Sequence, residues 1–359
     1  MIELRVARRR FLQGALAGAA SFSAFGSQRA HAQTQIVEAG WGGDYQFKHQ
    51  FQAFVEPFMK ETGIKVVQVA SPGNAVGIVK AQVENKNPEW DLVEVTEPEG
   101  LRLKARGLLA PIKYDDAIRA DLPHEILDEY VAPRVYTSQV LAWNSKVFPA
   151  DNHPKTWADL WDVKRFPGPR TASAWFPQDN IEMALMADGV PKDQVYPLDD
   201  KKVERGFAKL RELRPHMHVW YNAGAQSVQL FADEEVLLGM IYENRAREIQ
   251  KAGHPIDWTL DNAIIEQGSY VIPADSRNVE AATKLINVCL RRDSQAALVK
   301  INQYGAVNPR AYDQLSEAEK AKNLGAPENY RKQLRLDARY WVQATAKYSD
   351  EWESLKAGK

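Results

Sequence analysis

Short β-rich runs alternate with amphipathic stretches along the first half of the chain. Residues 45–62 place Phe47, Phe51, Phe54 and Phe58 at helical spacing, and Gly63 follows them as a helix-ending glycine does. The predicted strands are 35–39, 64–69 and 91–95, and the predicted helices are 45–62, 74–85 and 97–106. This alternation predicts a doubly wound, mostly parallel α/β sheet.

A second alternating block follows an extended run at 136–143. It predicts strands at 171–174, 218–221, 236–242, 256–259 and 269–272, helices at 157–162, 180–187, 202–213, 225–232 and 243–252, and mainly helix from 279 onward. Two α/β halves joined by extended segments predict two lobes with a crevice between them. Ligands bind in such crevices, beyond the carboxyl ends of strands.

The amino-acid composition excludes several classes of function. The 359 residues are 45% hydrophobic and 26% charged with a net charge of −1, so no basic surface for nucleic acid is expected. The single cysteine, Cys289, excludes disulfides and Cys-based metal sites within one chain. No apolar run reaches the roughly 18 residues of a membrane span.

The first 32 residues have the pattern of an export signal. Arg8-Arg9-Arg10-Phe11-Leu12 precedes a mildly apolar stretch at 14–25, and Ala30-His31-Ala32 supplies small residues for cleavage. The paired arginines are typical of a twin-arginine signal; the alternative is a basic amphipathic helix. Cleavage after residue 32 removes five arginines and one glutamate, which lowers the net charge from −1 to −5. We therefore expect a periplasmic protein.

Motifs of catalysis are absent from the sequence. It contains no Gly-x-Ser-x-Gly, His-Glu-x-x-His, P-loop or dinucleotide-binding glycine pattern. Cys289 lies between apolar residues and is predicted to be in the core. His216 and His218 could face one side of a strand and hold a metal, which leaves a secreted metal-dependent enzyme as an alternative. We expect no enzyme activity and no cofactor.

Aromatic and glycine residues follow the first predicted strand in the run Trp41-Gly42-Gly43-Asp44-Tyr45. The glycines permit close approach to a ligand, and the start of the next helix offers free N–H groups. Trp41 and Tyr45 could stack on or enclose a cation. The alternative is a plain turn between strand and helix with an aromatic cap.

Charged and aromatic residues also follow later strands. Thr96-Glu97-Pro98-Glu99 comes after the third strand, where the alternative is a helix N-cap with acidic first-turn residues. Trp175-Phe176-Pro177-Gln178-Asp179 and Tyr242-Glu243-Asn244-Arg245 end strands of the second half, and Arg245 could hold an acidic group or lie on the surface. The candidate ligand-binding residues are Trp41, Gly43, Tyr45, Thr96, Glu97, Phe176, Asp179, Tyr242, Arg245 and Glu266.

Eight short sequence segments resemble those of a known protein family. They are residues 58–66, 90–93, 156–161, 182–185, 238–241, 252–257, 284–287 and 355–358. In this order, over nearly the whole chain after the signal, they resemble the extracellular solute-binding proteins of ABC importers, specifically the spermidine/putrescine-binding branch. The resemblance implies a type II periplasmic-binding-protein fold, with two lobes that close like a hinge around one ligand.

The resemblance also implies how the chain divides and what it meets. We expect lobe 1 to contain 33–139 plus 268–310, and lobe 2 to contain 140–267 plus 311–359. The expected partners are a small-molecule ligand and an inner-membrane permease, with no nucleic acid, and the expected state is a monomer. By resemblance, Trp41, Thr96 and Tyr242 match ligand-contacting positions, and Asp179 matches a carboxylate that binds an amine.

Departures from the polyamine binders change the expected ligand. Gly268 stands where those proteins usually carry an aspartate for a terminal ammonium, Glu266 replaces a stacking tryptophan, and Phe176 replaces an acid. Arg245 adds a cation that a polyamine would not favour nearby. We therefore expect a small zwitterion such as γ-aminobutyrate or an aminophosphonate, with its ammonium at Asp179 or Glu266 and its acidic end at Arg245. A putrescine or spermidine receptor remains the alternative.

Overall fold

The computed structural model describes residues 35–41, 44–71, 74–302 and 304–358. The predicted signal segment 1–32 and the candidate Gly43 lie outside the described residues. Within the described ranges, no helix is long and apolar enough to cross a bilayer.

Nine strands in the described residues join into one hydrogen-bonded sheet. They are β1 (Gln35–Gly40), β2 (Lys65–Ala70), β3 (Leu92–Thr96), β4 (Ala132–Asn144), β5 (Arg170–Ser173), β6 (Met217–Tyr221), β7 (Leu238–Tyr242), β8 (Ile256–Val271) and β9 (Leu334–Arg335). Their order is β2-β1-β3-β8-β4-β7-β5-β6, with β9 beside β8.

The sheet consists of two similar blocks. Strands β2-β1-β3 and β7-β5-β6 are parallel within each block, and each block is bordered by one antiparallel strand, β8 or β4. The two bordering strands also pair with each other, so β4 and β8 connect the blocks directly. This arrangement confirms the predicted α/β class with mostly parallel halves.

Helices flank both blocks. They are α1 (Asp44–Gln50), α2 (Glu56–Thr62), α3 (Ala75–Glu84), α4 (Glu97–Ala105), α5 (Asp116–Asp121), α6 (Asn180–Ala187), α7 (Asp200–Leu213), α8 (Gly224–Ala232), α9 (Glu243–Lys251), α10 (Val279–Leu290), α11 (Arg292–Asn302), α12 (Glu317–Lys322), α13 (Pro327–Lys332), α14 (Ala338–Lys347) and α15 (Ser349–Lys356). A π-helical turn, Phe51–Val55, links α1 to α2, and Gly63 ends α2 with a left-handed φ of 71°.

One part of the strand prediction is wrong. The sequence indicated separate strands at 256–259 and 269–272, but both belong to the 16-residue strand β8. Asn262 has a positive φ of 59°, and the register with β4 shifts between Gln139 and Leu141, so the strand bends without ending. The polar residues Glu266 and Gln267 belong to the strand rather than to a loop.

The two largest clusters of buried side chains in the described residues form separate cores, as expected for two lobes. Ile36, Phe58 and Leu285 belong to the first and Phe207 and Trp352 to the second. Along β4 and β8 the core changes after Tyr136 and between Ile264 and Ile265, close to the predicted boundaries.

The last predicted boundary, 310/311, does not coincide with a change of core. Ala311, Tyr312 and Ala326 cluster with Ala296 of α11, and Leu324 belongs to the first core. The second core resumes at Leu334 and Leu336. This packing favours a last crossing between 326 and 334; the division of the chain as a whole stays a prediction.

Candidate functional site

Strands β4 and β8 bring residues from both lobes together at the centre of the sheet. In the ladders, Gly268 pairs with Thr96 of β3, Glu266 pairs with Thr137 of β4, and Gln139 pairs with Tyr242 of β7. Thr96 and Tyr242 are the last residues of their strands. The strand ends that the sequence predicted as binding sites therefore lie around β4 and β8, the two strands that cross between the lobes.

Asp179 and Glu266 form a buried acid pair at this place. Each side chain is 5% exposed. Burial is the main cause that raises the pKa of both carboxyl groups, and the charge of Glu266 adds to it at Asp179. A hydrogen bond with Tyr242 acts in the opposite direction on Glu266. The pair offers two acidic groups that an ammonium ion would stabilise in their charged form.

Asp179 has two further features of a ligand-binding residue. Its φ of 67° lies in the left-handed region, and its side chain makes no capping hydrogen bond to α6. Its Oδ1 atom is buried and has no hydrogen-bond partner among the described residues. A buried acceptor left in this state costs free energy unless a ligand or water meets it.

Aromatic rings line the acid pair. Trp175 lies 5.8 Å, centroid to centroid, from both Tyr221 and Tyr242, and its Nε1 donates to Asn222 O at 2.8 Å. The charges of Asp179 and Glu266 both raise the pKa of Tyr242, after burial, which indicates that the phenol lies near both. Trp175 is 38% exposed and therefore available to a ligand.

The opposite lobe contributes Trp41 and a buried ion cluster. Trp41 is 39% exposed, and its backbone N–H donates to Glu94 Oε2 at 3.2 Å. Glu94 also accepts from Gln50 Nε2 at 2.5 Å and pairs with Arg134 Nη1 at 3.1 Å. The Arg134 guanidinium lies 5.8 Å from the Trp41 ring centroid.

A second glutamate, Glu38, belongs to this cluster. Glu38 accepts hydrogen bonds from Tyr270 and from Gln68 Nε2, the latter at 2.9 Å. Burial, with a contribution from the charge of Glu94, raises the pKa of Glu38 to about 7. Near neutral pH the cluster therefore holds less negative charge than two ionised glutamates would give it.

Thr96 and Glu97 have structural partners. Thr96 forms a capping box with Glu99, since its Oγ1 accepts from Glu99 N–H at 3.4 Å and donates to Glu99 Oε2 at 2.9 Å. This confirms the capping interpretation of the segment. The Glu97 carboxylate pairs with Arg335 of β9 at 2.6 Å. That contact joins α4, on the first block, to a residue beside the second core.

Arg245 and Phe176 have other surroundings in the structure than the sequence predicted for a ligand contact. Arg245 is on α9, pairs with Glu248 at 2.9 Å and is adjacent to Gly224. The arginine whose charge lowers the pKa of Glu266 is Arg335. Phe176 is half-buried, and Tyr45 lies in α1. The ligand roles predicted for these three residues stay predictions.

The histidine and cysteine residues considered for a metal site or for catalysis lie apart from the acid pair. His218 is half-exposed and lies 4.0 Å from Glu235 Oε2. In the part of the chain that the structure describes, no group of three or more His, Cys, Asp or Glu side chains could hold a metal. Cys289 is buried, as predicted, and burial raises the pKa of its thiol.

Sequence reasoning missed Arg134, Gln139 and Tyr221. Tyr221 OH donates to Gln139 Oε1 at 3.4 Å, and Gln139 Nε2 is buried without a partner among the described residues. All three belong to strands whose sequences read as ordinary β-runs. The available signal was that the mostly apolar run of β4 also contains a charged and an amide side chain, which the structure shows to be fully buried.

Known proteins match this chain over most of its length. The family model for bacterial extracellular solute-binding proteins matches residues 53–326. A gamma-aminobutyric acid-binding protein of Pseudomonas aeruginosa is 30% identical over 318 residues, 87% of this chain and 88% of that protein. A spermidine/putrescine-binding periplasmic protein of Salmonella typhimurium is 26% identical over 327 residues, 85% of this chain and 88% of that protein.

Solved structures agree with these relatives. An ABC transporter substrate-binding protein from Bradyrhizobium japonicum has a TM-score of 0.83 and 33% identity. The match covers 90% of this chain and 99% of that chain. The fold of this chain is therefore similar to that of a substrate-binding protein over nearly the whole length of that protein.

Proposed function

Because the chain belongs to the bacterial extracellular solute-binding protein family, we propose that it is the periplasmic receptor of an ABC importer for a small amine-bearing zwitterion, such as γ-aminobutyrate or an aminophosphonate. It captures the solute between its lobes, closes, and presents the closed form to an inner-membrane permease. No chemical step is involved. Closure follows from the affinity that the ligand gains in the closed state.

The observation that carries the proposal is the acid pair under aromatic walls. Asp179 and Glu266 are buried, and burial raises the pKa of both. An ammonium ion bound there favours ionisation of the pair and forms charge-assisted hydrogen bonds, including one to the partnerless Asp179 Oδ1. Trp175 and Tyr242 then cover the methylene groups of the ligand. The gamma-aminobutyric acid-binding relative supports this ligand class.

A receptor for putrescine or spermidine is the second candidate. The same acid pair suits a diamine, and a spermidine/putrescine-binding protein is among the relatives. The two candidates differ in whether the site also holds a negative group of the ligand. They therefore predict opposite preferences between γ-aminobutyrate and putrescine, which have similar length and share one ammonium end.

Isothermal titration of the chain without residues 1–32 tests the proposal. We expect γ-aminobutyrate to bind and putrescine to bind at least about tenfold more weakly, since a charge left unpaired in a desolvated site is costly. Tighter binding of putrescine would replace the zwitterion with the polyamine assignment. Binding of neither, together with stoichiometric zinc or iron in the purified protein, would support the metal-dependent enzyme instead.

Export and oligomeric state are part of the same proposal. We expect the twin-arginine signal to be removed after Ala32 and the mature receptor to be a monomer. Amino-terminal sequencing of protein from the periplasm and light scattering of the purified receptor measure the two expectations. Export that persists when Arg8 and Arg9 are both changed to lysine would contradict the twin-arginine assignment.

A further inference from the structure

We propose that Arg134, on the crossing strand β4, holds the carboxylate of the ligand, so that the receptor selects ω-amino carboxylates. This inference rests on the proposed function and deepens it. It replaces Arg245, which the sequence suggested for that role, with a residue whose surroundings were not visible in the sequence.

The hydrogen-bonding capacity of Arg134 is largely unused. The residue is 0% exposed, and none of its three guanidinium nitrogens makes a hydrogen bond with another described residue. Among the described residues its ion pair is Nη1 to Glu94 Oε1 at 3.1 Å, with a carboxylate that also accepts from Gln50 and from Trp41 N–H, and the charge of Glu38 acts on the guanidinium as well. A guanidinium has five N–H donors, and buried donors without acceptors are rare because they are costly.

The Nη2 atom of Arg134 lies beside Gly268. A Cβ atom at Gly268 would lie 3.3 Å from Val135 Cγ2, 3.5 Å from Arg134 Nη2 and 3.8 Å from Trp41 Cη2. Because glycine has no side chain, this space is left for an acceptor between the guanidinium and the indole. The Trp41 and Tyr270 rings lie 5.8 Å and 5.4 Å from the guanidinium carbon, so they enclose it without offering it a carboxylate.

The local fold explains why Arg134 points there. The register between β4 and β8 shifts between Pro133 and Val135, because Pro133 pairs with Ser269 and Val135 with Gly268. Arg134 is therefore the extra residue of a bulge. Bulges redirect a side chain out of the ordinary alternation of a strand, and they are frequent beside binding sites.

The distance between the two charged ends fits an extended amino acid. Glu266 and Gly268 are alternate residues of β8, so they lie on one face of the strand about 7 Å apart. The ammonium end at Asp179 and Glu266 and the carboxylate end at Arg134 therefore require a ligand whose charges are separated by several bonds. An α-amino acid, with both groups on one carbon, reaches only one end.

A cycle of ligand and protein changes tests the assignment. The ligands are γ-aminobutyrate and 4-aminobutanamide, which has the same length and ammonium but no negative charge. We expect the unaltered receptor to prefer the acid by about tenfold or more. Arg134→Gln should abolish that preference, whereas Asp179→Asn should weaken both ligands and keep their ratio. Arg170→Gln, which removes a buried arginine bonded only to backbone carbonyls, controls for loss of stability.

The outcomes separate this inference from the proposed function. If Arg134→Gln keeps the ratio of acid to amide, Arg134 does not hold the carboxylate; if Arg245→Gln abolishes it, that role belongs to Arg245. If the unaltered receptor binds putrescine and neither test ligand, the proposed function itself fails. Glycine should bind at least tenfold more weakly than γ-aminobutyrate, and equal binding would refute the separation of the two ends.

A second pair of variants leaves Arg134 in place, in case Arg134→Gln does not fold. Gly268→Asp puts a carboxylate beside Arg134 Nη2, so it should abolish binding of γ-aminobutyrate and increase binding of putrescine. Gly268→Asn has nearly the same shape without the charge and is the matched control. Equal affinity of the two variants for γ-aminobutyrate would overturn the proposal, because a charge beside the guanidinium would then have no effect.

Discussion

Replacing Asp179 by asparagine should have opposite effects on binding and on stability. The substitution keeps the shape of the side chain and removes one buried ionisable group. If Asp179 holds the ligand ammonium, the loss of a hydrogen bond between charged groups costs about 1.5–3 kcal/mol, or about 10- to 150-fold in Kd. Titration of γ-aminobutyrate against both proteins measures this change.

The empty protein should become more stable, and increasingly so as pH rises. Burial and the charges of Glu266 and Glu182 raise the pKa of Asp179 well above its ordinary 3.8. A raised pKa in the folded state means that stability is lost as pH rises from the ordinary value through the folded one, at up to about 1.4 kcal/mol per pH unit. Asparagine does not titrate, so its advantage is absent near pH 4 and present at pH 8.

Thermal melting of the empty proteins at several pH values measures that advantage. Asp188→Asn is the matched control. Asp188 lies just beyond α6, is paired with Arg205 at 2.6 Å and has no proposed contact with the ligand. It should lower stability slightly at neutral pH. If Asp179→Asn melts below the unaltered protein at pH 8 and binds γ-aminobutyrate normally, Asp179 is a structural residue and the site assignment is wrong.

Three further outcomes follow from the packing and pairing around the site. Gly239→Ala should destabilise the fold by about 1–3 kcal/mol in urea unfolding, because the added Cβ would lie 2.2 Å from Thr171 O; an unchanged midpoint would contradict the close pairing of β5 and β7. Arg335→Gln should weaken the ligand fivefold at most and leave the ratio of acid to amide unchanged, since its partly exposed pair with Glu97 is worth about 1 kcal/mol or less and the carboxylate is assigned to Arg134. Cys289 should react with a thiol reagent only after denaturation, and prompt reaction of the native protein would contradict its burial.

The sequence predicted most of the fold because its elements are locally consistent. The three strands and helices of the first block follow hydrophobic periodicity, and Gly63 correctly predicts the end of α2. The error at 260–268 has a physical cause. The polar residues inside β8 are typical of a loop, but they lie in the strand where it passes from one lobe to the other. Polar residues at a binding site depart from the alternation of an ordinary strand.

The candidate site was predictable where it depends on strand ends. Asp179 and Tyr242 were singled out because they follow predicted strands, and Glu266 because it precedes one; burial raises the pKa of both acids, which agrees with a shared site. Arg134 was not predictable in this way. Its orientation depends on a bulge against β8 and on the missing side chain of Gly268, and both are relations between strands distant in sequence.

The partnerless groups also indicate how capture is coupled to closure. Asp179 lies next to Ile181 of the second core, and Arg134 lies between Ala132 and Val135 of the first, so the acceptor and the donors left without partners are beside different cores. Each unmet buried group costs about 1–3 kcal/mol. A ligand with an ammonium and a carboxylate at its two ends satisfies both only when the lobes are together, so its differential affinity favours the closed form. A ligand that binds only Asp179 or only Arg134 leaves the other buried group without a partner, with its free-energy cost. Closure therefore requires a ligand whose two charges are separated.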